Sequence, residues 1–272
     1  MTTDISQLTL PSIPPELKEL RLSVSKVKTF LQCKKMFYYT YIMKLPRKEF
    51  EFHLLGKAIH LVLELFHSDL LNGSTLPLNK LMANAYKISM DQFGPKMIAA
   101  SRKEVFTMAD QYLKRITSDK GQIKTVLSVE KNFALDIGGK VILNGMIDKV
   151  QTDHDGVLHV MDYKSTKNKK YLKNDWLQLL TYAYILYTEN QHVERIRGSY
   201  VLLRHGFEHI TKEFSLPEIL DIKNRFETYA KEISEATLYP ATPTRLCEWC
   251  LAIDRCDEGR EFLGIGSGEV NW

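Results

Sequence analysis

Gly145-Met146-Ile147-Asp148-Lys149-Val150, followed shortly by Val160-Met161-Asp162-Tyr163-Lys164-Ser165-Thr166, decides how this chain reads. Apolar and polar residues alternate through both stretches, as they do in strands whose successive side chains face opposite ways. Thr152-Asp153-His154-Asp155-Gly156 between them reads as a turn, with Gly156 free to take a positive φ. The expectation is a hairpin of strands over 140–151 and 157–163. In such strands Asp162 and Lys164 share a face, with Tyr163 on the other. Asp148 shares its face with Asn144, Met146 and Val150, and pairing brings Asp148 toward Asp162 across the sheet. Two carboxylates beside one lysine make a hard-oxygen site suited to Mg²⁺ or Mn²⁺. Such an ion can activate water and neutralise charge on a phosphodiester, and a neighbouring lysine can stabilise the developing charge. Taken alone, Asp-x-Lys is a common triplet and fits solvated strand ends equally well.

Upstream, the period is helical. A helix is expected to start at Ser23 or Ser25, with Val27, Phe30, Leu31, Tyr38 and Tyr41 on its apolar side. A second, over 55–70, is apolar on most sides and carries His60 one turn after Gly56. A helical His is ordinarily a core or boundary residue, but imidazole with two carboxylates is a fitting Mn²⁺ or Mg²⁺ set. Two more helical patterns follow, on Leu78, Leu81, Met82, Ala85, Ile88 and on Val105, Met108, Ala109, Tyr112, Ile116, before a strand over 123–135. Glu130 in that strand either reaches the site as an extra acid or faces solvent. Downstream, a helix over 175–188 sets Gln178 and Tyr182 four apart on one face, an amide and a phenol about 6 Å apart along the axis. Strands over 198–203 and 209–214 follow, then a helix to about 236 opened by Ser215 and Glu218 as a capping box. Lys164, Lys167, Lys169, Lys170 and Lys173 crowd a short loop, a pattern that solvated loops also show.

The cysteines are Cys33, Cys247, Cys250 and Cys256, the last three spaced C-x2-C-x5-C. Thiolates so spaced bind zinc or an iron–sulfur cluster, and spacing does not choose between them. Either would clasp the two ends of the chain together. The 272 residues, 44% hydrophobic and 26% charged, suffice for a real core. A net charge of +4 does not by itself announce a nucleic-acid partner. No apolar run approaches the roughly 20 residues of a membrane span, and the N-terminus lacks the pattern of a secretory signal. The expectation is a cytoplasmic protein in a reducing compartment, where cysteines serve as metal ligands rather than disulfides. Pro11, Pro14 and Pro15 make 1–22 a loose arm. The domain is expected over 23–257, with 258–272 a mobile tail.

In order, Cys33, G-x3-H, G-x2-D, D-x-K, Q-x3-Y and C-x2-C-x5-C resemble the RecB-like branch of the PD-(D/E)XK nucleases. The likeness is to members with a [4Fe–4S] cluster, such as CRISPR-associated RecB-type exonucleases and the AddB nuclease domain. It runs from about Val24 to Cys256, and the aromatic CKKMFYYTYI segment fits it too. The resemblance implies an α/β, restriction-endonuclease-like core: a mixed central sheet, flanking helices and an iron–sulfur-clasped helical region. It implies metal ligation by His60, Asp148, Asp162 and the Tyr163 carbonyl, catalysis by Lys164, and handling of single-stranded DNA by Gln178 and Tyr182. It assigns Cys33, Cys247, Cys250 and Cys256 to [4Fe–4S]. The implied activity is a DNA exonuclease acting on single strands or duplex ends in repair, recombination or replication. These residues hold no P-loop, G-x4-G-K-[ST], so the expectation is a free-standing nuclease or a separate subunit rather than a helicase–nuclease fusion, with a helicase or other recombination or replication protein as candidate partner. The competing readings are a non-catalytic DNA-binding or assembly subunit with this fold, and a zinc-stabilised binding protein.

Overall fold

The computed structural model describes residues 19–46, 49–118, 125–172 and 174–266. Strand β1 (Leu20–Leu22) leads into α1 (Val24–Gln32) and α2 (Lys34–Phe37), which continues as a π-turn over Tyr38–Ile42. Helices α3 (Glu51–Leu71), α4 (Leu78–Phe93) and α5 (Ala99–Ser118) precede β2 (Val126–Asp136), β3 (Val141–Thr152) and β4 (Leu158–Lys164). Helix α6 (Leu177–Glu189), β5 (Arg195–Leu202), β6 (Glu208–Ser215), α7 (Leu216–Ser234) and α8 (Asp257–Leu263) complete the order. The sheet is mixed, in the order β1-β3-β4-β5-β6, with β2 also paired to β3. The expected hairpin is present as β3 antiparallel to β4, with Lys149 opposite Met161. Strand β5 lies parallel to β4, as α6 between them requires, and β6 returns antiparallel.

The chain divides into two compact units. The larger holds 49–133 and 145–222. Its core lies where α3, α4 and α5 meet one sheet face: Leu55, Ile59, Leu63, Phe66, Val105 and Tyr112 pack with Met161, Tyr163 and Val201. Burying these side chains supplies on the order of 2 kcal/mol each. On α6, Leu179 is fully buried and stands close to Gly198 of β5, where an added Cβ would lie 3.1 Å from Leu179 Cβ and 2.6 Å from Phe214 Cε2. Glycine there permits the close approach of helix and sheet.

The smaller unit holds 1–48, 134–144 and 223–272. Ser23 caps α1, its hydroxyl accepting the Lys26 N–H at 3.2 Å, so the first of the two candidate caps is the one used. Aromatic packing joins the two ends of the chain: the Phe37 ring lies 5.1 Å from Phe30 and 6.4 Å from Tyr239, and Tyr38 lies 5.1 Å from Tyr239. Where a tail was expected from 258, α8 runs over Asp257–Leu263, closed by Gly264 at φ 67. At the start of α7, Glu218 accepts the Ser215 N–H at 2.9 Å, and the Ser215 hydroxyl also donates to Glu218. The Glu half of the expected capping box is thus in place. Most of the expected N-terminal arm, Lys173 of the lysine run, the start of the 123–135 strand and the final residues lie outside the described residues.

Candidate metal and active site

In the larger unit, continuing the β3–β4 register one step past Lys149–Met161 sets Asp148 opposite Asp162. Asp148 is 9% exposed and Asp162 is 2% exposed. The Tyr163 N–H donates to Asp148 Oδ2 at 2.6 Å, fixing that carboxylate against β4. Tyr163 itself points into the core beneath α3 and α5, as strand alternation predicts. Helix α3 presents His60 from above. Its Nε2 lies 3.0 Å from the Tyr163 carbonyl, which can only accept, so Nε2 carries the proton in that contact. Its Nδ1 lies 3.7 Å from Asp148 Oδ2. Gly56 brings this helix down on the end of β4, since a Cβ there would stand 3.2 Å from Ser165 Oγ. The glycine thus makes room for Ser165.

Glu130 joins the site. It has φ 44, a left-handed value that residues with a Cβ seldom adopt. Burial stops alternating around it, as at a bulge that re-aims a side chain. Among the described residues, His60, Glu130 and Asp148 are the set whose ligand atoms all lie within 4.8 Å of one another. Asp162 falls outside that set. Its Oδ2 lies 2.5 Å from Lys164 Nζ, an ion-pair contact, yet is buried without a well-directed hydrogen bond. Burial first, and then the neighbouring acids, push the Glu130 carboxyl up to about 8. Burial and Asp162 push Asp148 up to about 6, against the pull of His60, the Tyr163 N–H and Lys164. A positive charge placed among them would favour both carboxylates as anions.

Lys164 is held from a second side. Its Nζ donates to Gln178 Oε1 at 2.9 Å, and Gln178 Nε2 donates to the Tyr182 hydroxyl at 2.8 Å. The ammonium sits 5.4 Å from the centroid of the Tyr200 ring. Tyr182 is 5% exposed, its ring packs edge-on to Phe133 at 6.1 Å, and burial raises its phenol far above the usual range. Phe133 in turn fills the space above Gly145, where a Cβ would come within 2.7 Å of its ring. The glycine, acid, lysine, amide and phenol picked out by their order along the chain therefore form one connected network. Glu64, Tyr200 and Ser165 belong to this region and were not singled out from sequence. Glu64 alone had a signal, standing one helical turn beyond His60. The lysine-rich loop behaves as a solvated one where it is described: Lys169 pairs with Glu208 at 2.7 Å.

A second polar chain lies in the same unit. Asp153 Oδ1 is 3.0 Å from His159 Nδ1, and His159 Nε2 is 2.7 Å from Ser199 Oγ. Its order mimics a nucleophile, base and acid, but Ser199 is 0% exposed, so no substrate reaches it. Arg197 fixes Asp153 and Asp155, which makes the chain a structural lock.

In the smaller unit, Cys33, Cys247, Cys250 and Cys256 all line one cavity, and none is in a disulfide. Cys33 ends α1 and caps α2, its sulfur accepting N–H groups from Met36 and Thr242 at 3.4 Å each. Cys247 Sγ accepts from the Thr244 N–H at 3.4 Å. A Cβ on buried Gly259 would stand 3.3 Å from Cys256 Sγ and 3.6 Å from Cys247 Sγ. No three of these sulfurs lie within 4.8 Å of one another, as the ligand atoms of the His60 set do.

Among known proteins, the family model of the PD-(D/E)XK nuclease superfamily matches residues 21–257. One component of the ATP-dependent helicase/deoxyribonuclease of Streptococcus pyogenes serotype M3 is 25% identical over 176 residues, which is 62% of this chain and 16% of that protein. Its counterpart from serotype M18 is 27% identical over 158 residues, 55% of this chain and 14% of that protein. The chain thus spans about a sixth of the length of these relatives. A solved structure of an exonuclease candidate from Eubacterium rectale superposes with a TM-score of 0.48 at 12% identity, covering 94% of this chain and 90% of that one.

Proposed function

The chain belongs to the PD-(D/E)XK nuclease superfamily, and from that premise we propose that it is a metal-dependent DNA exonuclease cleaving single strands or duplex ends. The observation that carries the reading is the meeting of His60, Glu130 and Asp148 next to an Asp162–Lys164 pair. An imidazole with buried carboxylates fits Mg²⁺ or Mn²⁺; a cation there would offset the burial that raises the Glu130 and Asp148 carboxyls and would give the buried Asp162 Oδ2 a partner. His60, Asp148, Asp162 and the Tyr163 carbonyl would hold the ion, with Glu130 as a further ligand. When bound, the ion supplies Lewis acidity and an activated water. Lys164 stabilises negative charge on the phosphodiester, and Gln178 and Tyr182 hold the ammonium in place. Asp162 aims the Lys164 ammonium at the site through their ion pair.

The cysteine cavity fits a [4Fe–4S] cluster better than one zinc ion. A tetrahedral zinc with bonds of about 2.3 Å draws its sulfurs to within roughly 4 Å of each other. With no three of the four sulfurs within 4.8 Å of one another, the cavity suits a larger core, and N–H groups aimed at Cys33 and Cys247 are bonds of the kind that stabilise cluster thiolates. The group would clasp the first helices to the C-terminal turns. The relatives' name includes a helicase, which supports a helicase partner.

End-labelled single-stranded DNA incubated with the protein and Mn²⁺ or Mg²⁺ tests the reading. Expected is stepwise shortening that chelation stops and that Asp162→Ala and Lys164→Ala abolish with the fold intact. Retention of wild-type turnover by Lys164→Ala would remove the lysine from the mechanism. Binding of DNA with no cleavage by the metal-loaded wild type would favour the assembly-subunit reading. A brown protein absorbing near 400 nm (roughly) marks the cluster, and a colourless zinc-loaded one refutes it.

A further inference from the structure

We propose that the solvent-facing stripe of α3 is the track for a single DNA strand, and that Phe52 is the platform on which an unpaired base of that strand stacks. The inference rests on the nuclease reading and adds a binding subsite to it. Between Phe52 and Glu64 of α3, Phe52, His53, Gly56, Lys57, His60, Leu61 and Glu64 are the exposed or half-buried positions, with buried residues on the other side. They form one continuous face, recurring at three and four residues. Its inner part, from Gly56 to Glu64, lines the same cavity as Glu130 and Asp148. Its outer end is aromatic. The Phe50 and Phe52 rings lie parallel, 5.4 Å apart at 6°. His53 packs edge-on to Phe52 at 4.2 Å. His53 Nδ1 also accepts the Phe50 N–H at 3.3 Å, which fixes the start of the helix and so the stacked pair.

A phenylalanine 42% exposed at a helix start keeps much of its ring in water, so core packing does not account for it. What it offers is a flat apolar face steadied by a second ring stacked on it, which a base can cover. Electrostatics point the same way. The inner cavity is lined by Glu64, Glu130 and Asp148, and these acids repel phosphates unless cations intervene. Stacking and Lys57 add affinity for the strand from outside that cluster. Lys57 stands between the platform and His60, and among the described residues it pairs with Glu49 in an exposed contact that a phosphate can replace. The distance fits as well. From Phe52 to His60 the helix rises about 12 Å. That is three to four nucleotides at the duplex spacing of roughly 3.4 Å, and fewer in a stretched strand. A base in a duplex has both faces covered by its neighbours, so the platform selects a frayed or single-stranded end.

The test is binding and cleavage of an oligonucleotide carrying one abasic site, moved a nucleotide at a time along the strand. With Ca²⁺ in place of Mg²⁺, anisotropy titrations read affinity without turnover. For the wild type, one position a few nucleotides from the cleaved bond should weaken binding roughly 5- to 100-fold. Phe52→Ala should weaken binding of the intact strand by a similar factor and be blind to that abasic site. Phe52→Trp should restore both the affinity and the position dependence, while Phe52→Leu, apolar but not aromatic, should not. The turnover number at saturating DNA should change little, because Phe52 touches no reacting atom. Equal affinity of wild type and Phe52→Ala, or undiminished sensitivity of Phe52→Ala to the abasic site, overturns the platform. Preferential binding of blunt duplex over single strand by the wild type overturns the track. Absence of any metal-dependent cleavage by the wild type is a different result, which sinks the nuclease reading itself.

Discussion

Substitution of Gln178 separates two roles for the amide–phenol pair: holding the lysine, or holding the strand. Lys164 Nζ has two anchors, Asp162 Oδ2 at 2.5 Å and Gln178 Oε1 at 2.9 Å, above the Tyr200 ring. Gln178→Ala removes the second. A hydrogen bond from a charged donor is worth about 1.5–3 kcal/mol, and about 1.4 kcal/mol is a factor of ten in rate. If the whole of it serves to place the ammonium, kcat falls roughly 10- to 150-fold. Tyr182→Phe removes only the neutral bond from Gln178 Nε2 to the phenol, one step back. At about 0.5–1.5 kcal/mol, that predicts a loss of roughly 2- to 13-fold, smaller than for Gln178→Ala. Gln178→Glu keeps an acceptor opposite Lys164 and should retain more activity than Gln178→Ala. Steady-state and single-turnover rates on single-stranded DNA with Mn²⁺ measure this, and KM should stay near wild type in all three variants. A raised KM with kcat intact would show that the pair binds the strand and that its contact with Lys164 is incidental. Equal losses in Gln178→Glu and Gln178→Ala would show that the acceptor does not matter.

Lys149 is 2% exposed, and burial lowers its amine to about 8, so folding disfavours its charged form. That penalty is complete below the folded value near 8 and fades as the pH rises toward the unfolded value of 10.5. Urea melts should show the wild type gaining stability across that window, while Lys149→Met is flat and, near neutral pH, more stable by on the order of 3 kcal/mol; no gain for Lys149→Met refutes the penalty. Gly198→Ala places a Cβ 2.6 Å from Phe214 Cε2 and 3.1 Å from Leu179 Cβ, both residues being fully buried. Overpacking of this kind destabilises by about 1–3 kcal/mol, read as a lower melting temperature, and an unchanged one would mean that α6 and Phe214 shift freely. Cys250→Ala should bleach the protein and lower solubility and thermal stability, with activity falling as a consequence, since the clasp closes a loop of most of the chain. A colourless Cys250→Ala protein with wild-type stability and activity would make the clasp dispensable.

What could be read in the sequence and what could not divides along physical lines. The hairpin was legible because two periods of two, joined at Gly156, leave one pairing, and that pairing sets Asp148 beside Asp162 whatever surrounds it. His60 was legible only by order, since helical spacing says which face it shares with Gly56 and not what the face meets. Glu130 could not be settled by alternation, because the alternation fails at that residue. Its φ of 44 inserts a kink that period counting assumes away, and the kink is what delivers the acid to the site. Gln178 and Tyr182 were read correctly as one helical face. That the face meets Lys164 follows from the parallel β4–β5 crossover, which places α6 over the sheet. The C-terminal helix was hidden by the glycines after it, Gly264 being its stop signal rather than the mark of a tail. Local chemistry was thus carried by residues in regular elements. The residues that complete the site sit where regularity is broken, at a bulge, at a helix start and at a crossover. A strained position kept at a cluster of acids is held there by what it delivers. By that argument the left-handed backbone at Glu130 favours its carboxylate as part of the metal site, rather than as a surface acid.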